Sequence, residues 1–406
     1  MKTRMDWLQG TARLAGDGLL GAVDTIEGMH LAIVDGVSRF VPFGSVVSRI
    51  TGFTYARVRD VAQVTRRTTD GALALLERNT SREPANERVN PSQLAWLSAL
   101  NGAIGDHLES NANPLAIAMR LCREGRELDP RSPDLGASLA AAGGTLLVFV
   151  HGLGMNDLQW RDAHGDSFGA RLEAEGFGLA THLRYNSGRR ISANGRDLSR
   201  LLQTLHETHA AALRRIVLVG HSMGGLVCRA ACMHAQRHGF NWAGALDQVF
   251  CLGTPHLGAP LERWGGSLSA LLAAAPFTRP LATIAETRSA GVKDLREGWA
   301  SDVDRDNDAS QDSDLPFAGR VRWHVAAATL SARATGARAR WIGDGLVPVP
   351  SALGEDEDPR RMLRLAADRR HVFTALGHMD LLVDARVHAR LREWITAPRR
   401  ASRQTL

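Results

Sequence analysis

The run Arg215-Ile216-Val217-Leu218-Val219 leads without a break into Gly220-His221-Ser222-Met223-Gly224. An amphipathic helical pattern follows, with a further glycine at 225. A buried-strand pattern, then G-x-S-x-G, then a helix demands a sharp turn that leaves Ser222 exposed at its tip. Gly220 and Gly224 carry no Cβ, so strand and helix can close tightly around a strained residue. G-x-S-x-G alone arises by chance. Flanked by strand and helix patterns in this order, it restricts the chain to a layered α/β architecture with a reactive serine.

A serine hydroxyl is a weak nucleophile at neutral pH. Ser222 therefore predicts a histidine base, a carboxylate to orient that base, and amide donors for a developing oxyanion. With this motif the acid follows the serine in the chain and the histidine follows the acid. The donors are expected near a second apolar run, residues 145–150, which ends in His151-Gly152-Leu153-Gly154 about 70 residues before the elbow. The backbone N–H groups of Leu153 and Met223 are the expected oxyanion donors, with His151, Gly152, Gly220 and Gly224 in support. The alternative for 151–154 is an ordinary glycine-rich turn.

Asp344 stands between Gly343 and Gly345, downstream of the strand-like residues 321–327. Asp-Gly is a common turn dipeptide, and chain order selects Asp344 over Asp302 and Asp380 as the acid. Fifteen histidines compete for the role of base. His371 falls at the wrong end of a strand, His388 within the last helical pattern, and His221 beside the serine inside the elbow. His378 follows a short strand and a glycine, in a loop, where the base belongs.

Together these residues resemble the α/β-hydrolase superfamily and, within it, the lipase and esterase branch. The segment Gly253-Thr254-Pro255-His256-Leu257-Gly258 is similar to one in bacterial triacylglycerol lipases and in proteins like the GPI inositol deacylases. So are Gly343-Asp344-Gly345-Leu346-Val347 and Gly377-His378-Met379-Asp380-Leu381-Leu382. The likeness spans roughly residues 140–395. It implies cleavage of carboxylic esters, lipid-like or otherwise apolar, through an acyl-enzyme on Ser222, with Asp344 holding His378 without taking its proton. Two other readings stay open: acyl transfer or intracellular polyester cleavage by the same triad, and a helical scaffold carrying a silent hydrolase domain. Fold resemblance alone does not fix the reaction.

At 406 residues the chain can build a large core and a further domain. Strand patterns near 145–150, 179–185, 216–220 and 248–252 alternate with helical ones, which predicts a mostly parallel sheet covered on both faces. Residues 136–398 form the expected catalytic domain. Residues 258–318 are too long for a simple connection and are expected to form a lid-like insertion. Residues 1–135 read as helical, with patterns at 7–33, 52–79, 92–108 and 114–127 broken by prolines. They are expected to form a helical domain packed on the hydrolase; contact with a lipid or granule surface, and homo-oligomerisation, are the alternative roles.

Cys122, Cys228, Cys232 and Cys251 have neither metal nor redox spacing, and Cys228 and Cys232 are expected in the core. The sequence calls for no metal and no cofactor. The net charge of +6 is carried almost wholly by arginine; lysine occurs only at positions 2 and 293. Residues 359–406 hold 11 arginines against 4 acidic residues and end in a basic tail at 399–406. Those arginines lack interleaved aromatics, so no nucleic-acid partner is expected. Asp17, Asp24 and Glu27 interrupt the N-terminal apolar residues, against a secretory signal. A bacterial cytoplasmic location, with peripheral lipid contact open, is the expectation.

Overall fold

The computed structural model describes residues 6–7, 9–11, 13–14, 90–259, 289–300, 315–334 and 336–398. The expected helical segments before residue 90, most of the insertion at 258–318 and the tail 399–406 lie outside them. The chain divides into two compact units, one of Met1–Glu87, His107–Ala116 and Pro276–Thr287, the other of Arg88–Asp106, Ile117–Ala275 and Arg288–Leu406. In the first, Asn113 Nδ2 donates to Gly10 O at 3.1 Å and Arg13 Nη1 to Ala112 O at 2.8 Å.

Helix α1 (Pro91–Ser110), as the pattern at 92–108 predicted, has residues 91–106 in the second unit and its last turn in the first. Strands β1 (Arg120–Arg123) and β2 (Arg126–Leu128) follow. These two replace the helix expected over 114–127. Glu124 and Gly125 both take positive φ, 53° and 81°, which closes a two-residue hairpin. Leu121 and Cys122, adjacent in sequence, are both buried, so neither strand alternation nor a helical stripe marks the segment. Helix α2 (Pro133–Ala141) then leads to β3 (Thr145–Val150).

From β3 the chain alternates: α3 (Phe168–Ala174), β4 (Leu179–Arg184), α4 (Ile191–Thr208), β5 (Arg215–His221), α5 (Met223–His238) and β6 (Leu246–Leu252). After the insertion come α6 (Ala290–Glu297), β7 (Arg322–Thr329), α7 (Ala337–Ile342), α8 (Val349–Leu353), β8 (Arg370–Thr374) and α9 (Ala385–Thr396). Among the described residues eight strands make one sheet in the order β2-β1-β4-β3-β5-β6-β7-β8. Strands β4 to β8 pair in parallel through β3, and only the hairpin runs antiparallel.

Alternation along the strands builds two cores. Leu146, Val148, Val150, Ile216 and Leu218 pack with Leu198 and Leu202 of α4 and Leu226 and Val227 of α5. Leu147, Phe149, Val217 and Val219 face the other way, onto Trp160, Phe168, Leu172, Leu391 and Trp394. Each of these large side chains contributes roughly 1.5–3 kcal/mol relative to exposure. Burial on both faces explains why β3 and β5 read as continuous apolar runs. Helix α6, inside the insertion, is docked rather than free. Its Asp294 accepts from Arg190 Nη1 at 2.8 Å and from the Ile191 N–H at 3.0 Å.

Candidate active site

Ser222 lies between β5 and α5 with φ 55° and ψ −125°, a left-handed backbone that a serine adopts only under constraint. The constraints are visible. The Ser222 N–H donates to Leu252 O at 2.8 Å, which continues the β5–β6 pairing past the strand end. A Cβ on Gly220 would collide with the backbone of Gly225, and one on Gly224 with the carbonyl oxygen of Val150. Strand and helix therefore close around the serine only with hydrogen at these positions. Ser222 is 1% exposed, and its Oγ has no hydrogen-bond partner among the described residues. Helix α5 starts at the next residue, so its positive dipole end faces the serine.

Residues 151–154 fold back over the elbow from the end of β3. A Cβ on Gly152 would lie 3.1 Å from Ser222 Cβ. The His151 ring stacks on Tyr185 at 4.3 Å between centroids, its Nδ1 donates to Gly152 O at 2.8 Å, and Tyr185 Oη donates to His151 O at 2.8 Å. Burial pushes the His151 pKa down to about 4, which keeps the ring neutral as a loop support. The Leu153 N–H meets no backbone carbonyl among the described residues. Met223 is the first residue of α5, so its N–H has no acceptor within the helix.

Asp344 and His378 are buried, 3% and 4% exposed, and hydrogen-bonded, with His378 Nδ1 at 2.7 Å from Asp344 Oδ2. The backbone repeats the link: the His378 N–H donates to Asp344 O at 3.0 Å. The other carboxylate oxygen, Oδ1, accepts from Leu346 N–H at 3.0 Å and Val347 N–H at 2.8 Å. Gly343 and Gly345, at φ 56° and 97°, form the turn that presents the carboxylate. Asp380, the competing acid, is occupied elsewhere; its Oδ2 accepts from Gly377 N–H at 2.7 Å. Asp302 lies outside the described residues.

The loop of His378 meets the elbow through His221. The two imidazoles are 4.6 Å apart between centroids, and His221 Nε2 donates to His378 O at 3.0 Å. Burial, then the neighbouring His378, holds the His221 pKa well below the ordinary histidine range. His221 therefore tethers the His378 loop as a neutral donor. Sequence reasoning set it aside as a local packing residue, and no spacing signal links positions 221 and 378. The remaining competitors lie elsewhere: His371 packs edge-on against Phe373, and His388 tilts against Phe168.

Leu330 and Met379, 55% and 48% exposed, flank the acid and base loops. The Leu330 N–H donates to Gly343 O at 2.8 Å. Cys228, Cys232 and Cys251 are buried behind the elbow, where desolvation raises their thiol pKa values. Among the described residues no group of three or more His, Cys, Asp or Glu side chains could hold a metal ion. No described helix is long and apolar enough to cross a membrane.

A family model described as a PGAP1-like alpha/beta domain matches residues 141–278, which include the elbow and the 151–154 loop. No curated protein sequence matches the chain. Among solved structures, a lipase of Bacillus licheniformis in its mature form is 19% identical, with 69% of this chain and 98% of that one covered and a TM-score of 0.42. A lipase-esterase related protein of Clostridium acetobutylicum is 14% identical over 62% and 94% of the two chains, with a TM-score of 0.34. An aryl esterase of Burkholderia cenocepacia, so described as a tentative assignment, is 15% identical over 63% and 90%, with a TM-score of 0.35. The eight-stranded, mostly parallel sheet is the α/β architecture expected from the sequence, and the matched family model is likewise that of an alpha/beta domain.

Proposed function

We propose that this chain is an α/β-hydrolase and a serine hydrolase of carboxylic esters, acting through an acyl-enzyme on Ser222. One observation carries the reading: a serine strained at a strand–helix turn, beside a histidine loop whose imidazole is hydrogen-bonded to a buried aspartate at 2.7 Å. Nothing in a purely structural role requires that combination.

In the proposed cycle Ser222 Oγ attacks the ester carbonyl carbon while His378 Nε2 takes the hydroxyl proton. The carbonyl π bond opens, and its oxygen accepts from the Leu153 and Met223 N–H groups. Such donors act on charge that develops only in the transition state, so they lower the barrier rather than tighten substrate binding. The intermediate collapses as the C–O bond to the alcohol breaks, and His378 gives the alcohol its proton. Water then repeats the sequence, releasing the acid and restoring Ser222. Asp344 keeps the Nδ1–H tautomer and stabilises the imidazolium without accepting its proton.

Exposed Leu330 and Met379 beside the acid and base loops support apolar, lipid-like acyl esters as substrates. The insertion at 258–318 is proposed to shape and cover that acyl site. Labelling by a fluorophosphonate probe, wild type beside Ser222→Ala, tests the nucleophile, and a p-nitrophenyl ester series then sizes the acyl site. Labelling lost in the variant is the expected result. A folded wild type that neither labels nor turns over any ester of the series would defeat the reading and favour a silent hydrolase domain.

A further inference from the structure

Helix α1 belongs to the stretch read from the sequence as a separate helical region, yet its glycine face is pressed against the loop that carries the Leu153 amide. Gly102 and Gly105 are one turn apart on that face. A Cβ on Gly102 would stand 2.8 Å from Gly154 Cα and 2.9 Å from Gly154 N. A Cβ on Gly105 would collide with the Asn186 side-chain amide, and one on Gly188 with the Asn101 carbonyl oxygen. The helix is kinked at Ile104, φ −137° and ψ 24°. On either side of the kink its carbonyls accept bonds from outside: Gly102 O from Ser289 Oγ and Gly105 O from Asn186 Nδ2, both at 2.8 Å.

The loop 186–188 is fixed in turn. Asn194 Nδ2 donates to Asn186 O at 2.9 Å, and the Gly291 N–H to Gly188 O at 3.0 Å. From this fixed loop Ser187 Oγ accepts the Gly154 N–H at 2.9 Å. Leu153 therefore lies between two pinned glycines. Gly152 is seated on the elbow and Gly154 is wedged between Gly102 and Ser187. The Leu153 N–H shares its peptide plane with Gly152 O, which accepts from His151 Nδ1 at 2.8 Å and from the Met155 N–H at 3.3 Å, and the contacts on Gly154 fix the other side of the same residue.

We propose that α1 is the brace that aims the Leu153 amide, with Gly102 and Ser187 as positioning residues. The proposal rests on the esterase reading above, since it gives that amide its purpose. Neither residue touches the reacting atoms; each acts through Gly154. An oxyanion donor misplaced by a fraction of an ångström loses much of its effect on the transition state and little of its effect on ground-state binding.

The test uses the full chain with Gly102→Ala and Ser187→Ala, beside Gln93→Ala on the exposed start of the same helix as a control. Alanine is the better helix former, so Gly102→Ala without a clash would leave the helix intact or firmer. The expected result is a fall in kcat of about 10- to 100-fold per titrated active site, below the 10²–10³ of deleting a donor outright, with KM within about twofold. Affinity for an alkylboronic acid, which forms a tetrahedral adduct on Ser222, falls in parallel, while affinity for the product alcohol is unchanged. A merely structural role would lower the melting temperature and the titrated fraction but leave the kcat of each remaining site and the boronate affinity unmoved. If Gly102→Ala does not fold, Ser187→Ala decides, because it removes a hydrogen bond and adds no atom. Folded variants with wild-type kcat and boronate affinity would overturn the brace. A wild type that binds no boronate and cleaves no ester would instead defeat the esterase reading.

Discussion

Asp344 shows how two backbone groups can decide the tautomer of a neighbouring imidazole. Its Oδ1 is held by the Leu346 and Val347 N–H groups, so Oδ2 alone is left to accept from His378 Nδ1. An asparagine here must keep its carbonyl oxygen toward those two donors, which turns its NH₂ toward the imidazole. Nδ1 then becomes an acceptor, the proton moves to Nε2, and the ring can no longer take a proton from Ser222. Asp344→Asn is expected to fold normally and to lose about 10³- to 10⁴-fold in kcat, the scale of a wrong-tautomer defect in a serine triad. Ester kinetics normalised to titrated sites check it; a loss under tenfold would show that Asp344 does not set the tautomer. The strand–helix turn at Ser222 and the pairing of Asp344 with His378 could be expected from the sequence, because motif and chain order narrow each choice to a few residues. The reason Asp344 and not Asp380 pairs with His378 was not legible. It lies in which backbone N–H each carboxylate accepts, and Asp380 is taken by Gly377. His221 was hidden for a related reason, since its partner is a backbone carbonyl 157 positions away.

At the level of elements, the elbow works by close approach between backbones, and that makes its tolerance of substitution uneven. A methyl group at Gly224 would run into the Val150 carbonyl oxygen and lie 2.7 Å from the His151 oxygen, both fixed at the end of β3. Neither can give way as a flexible side chain would. Gly224→Ala is expected to cost about 3 kcal/mol or more, the upper range for overpacking, seen as a lower urea midpoint at unchanged slope. Gly244→Ala is the counterpart. Nothing lies within 4 Å of a Cβ there and its φ is not positive, so the change should be neutral or stabilising by about 0.4–1 kcal/mol. Equal effects of the two substitutions would show that the elbow is not held by backbone contact. The parallel strands and the helices between them were readable because burial on both faces leaves long apolar runs. The hairpin of β1 and β2 was not, since its four- and three-residue strands are too short to show a period. The close approach of α1 to the 151–154 and 186–188 loops was also not readable. Glycines on a helix read as weakness until the partner backbones, Gly154 and Gly188, are known.

Among the described residues the fold buries several imidazoles besides those of His221 and His378. Desolvation holds His151 and His182 at a pKa of about 4, and His256 and His324 at about 3. In the unfolded chain each would take a proton near pH 6.5. Below pH 6.5 and down to these folded values, the unfolded state therefore binds more protons, and stability falls as pH falls. Above pH 6.5 all four are neutral in both states and contribute no slope. Between pH 6.5 and pH 5 each group removes on the order of 2 kcal/mol, and four together approach the total stability of an ordinary domain, about 5–15 kcal/mol. Acid unfolding is thus expected near pH 5, before most carboxylates protonate. His324 allows the cause to be isolated. Its ring stacks on Phe250 at 4.9 Å and lies 4.8 Å from Trp394, and neither ring nitrogen has a hydrogen-bond partner among the described residues. Phenylalanine would keep the stack, remove two unpartnered nitrogens and remove the titration. His324→Phe should melt at or above the wild-type temperature at pH 7.5 and unfold at a lower pH, read by circular dichroism from pH 8 to pH 4. A wild-type melting temperature that stays level from pH 7.5 to pH 5 would mean that the buried histidines do not govern acid stability. A steep wild-type curve with no shift in the variant would exempt His324 and leave His151, His182, His221 and His256 to account for the slope.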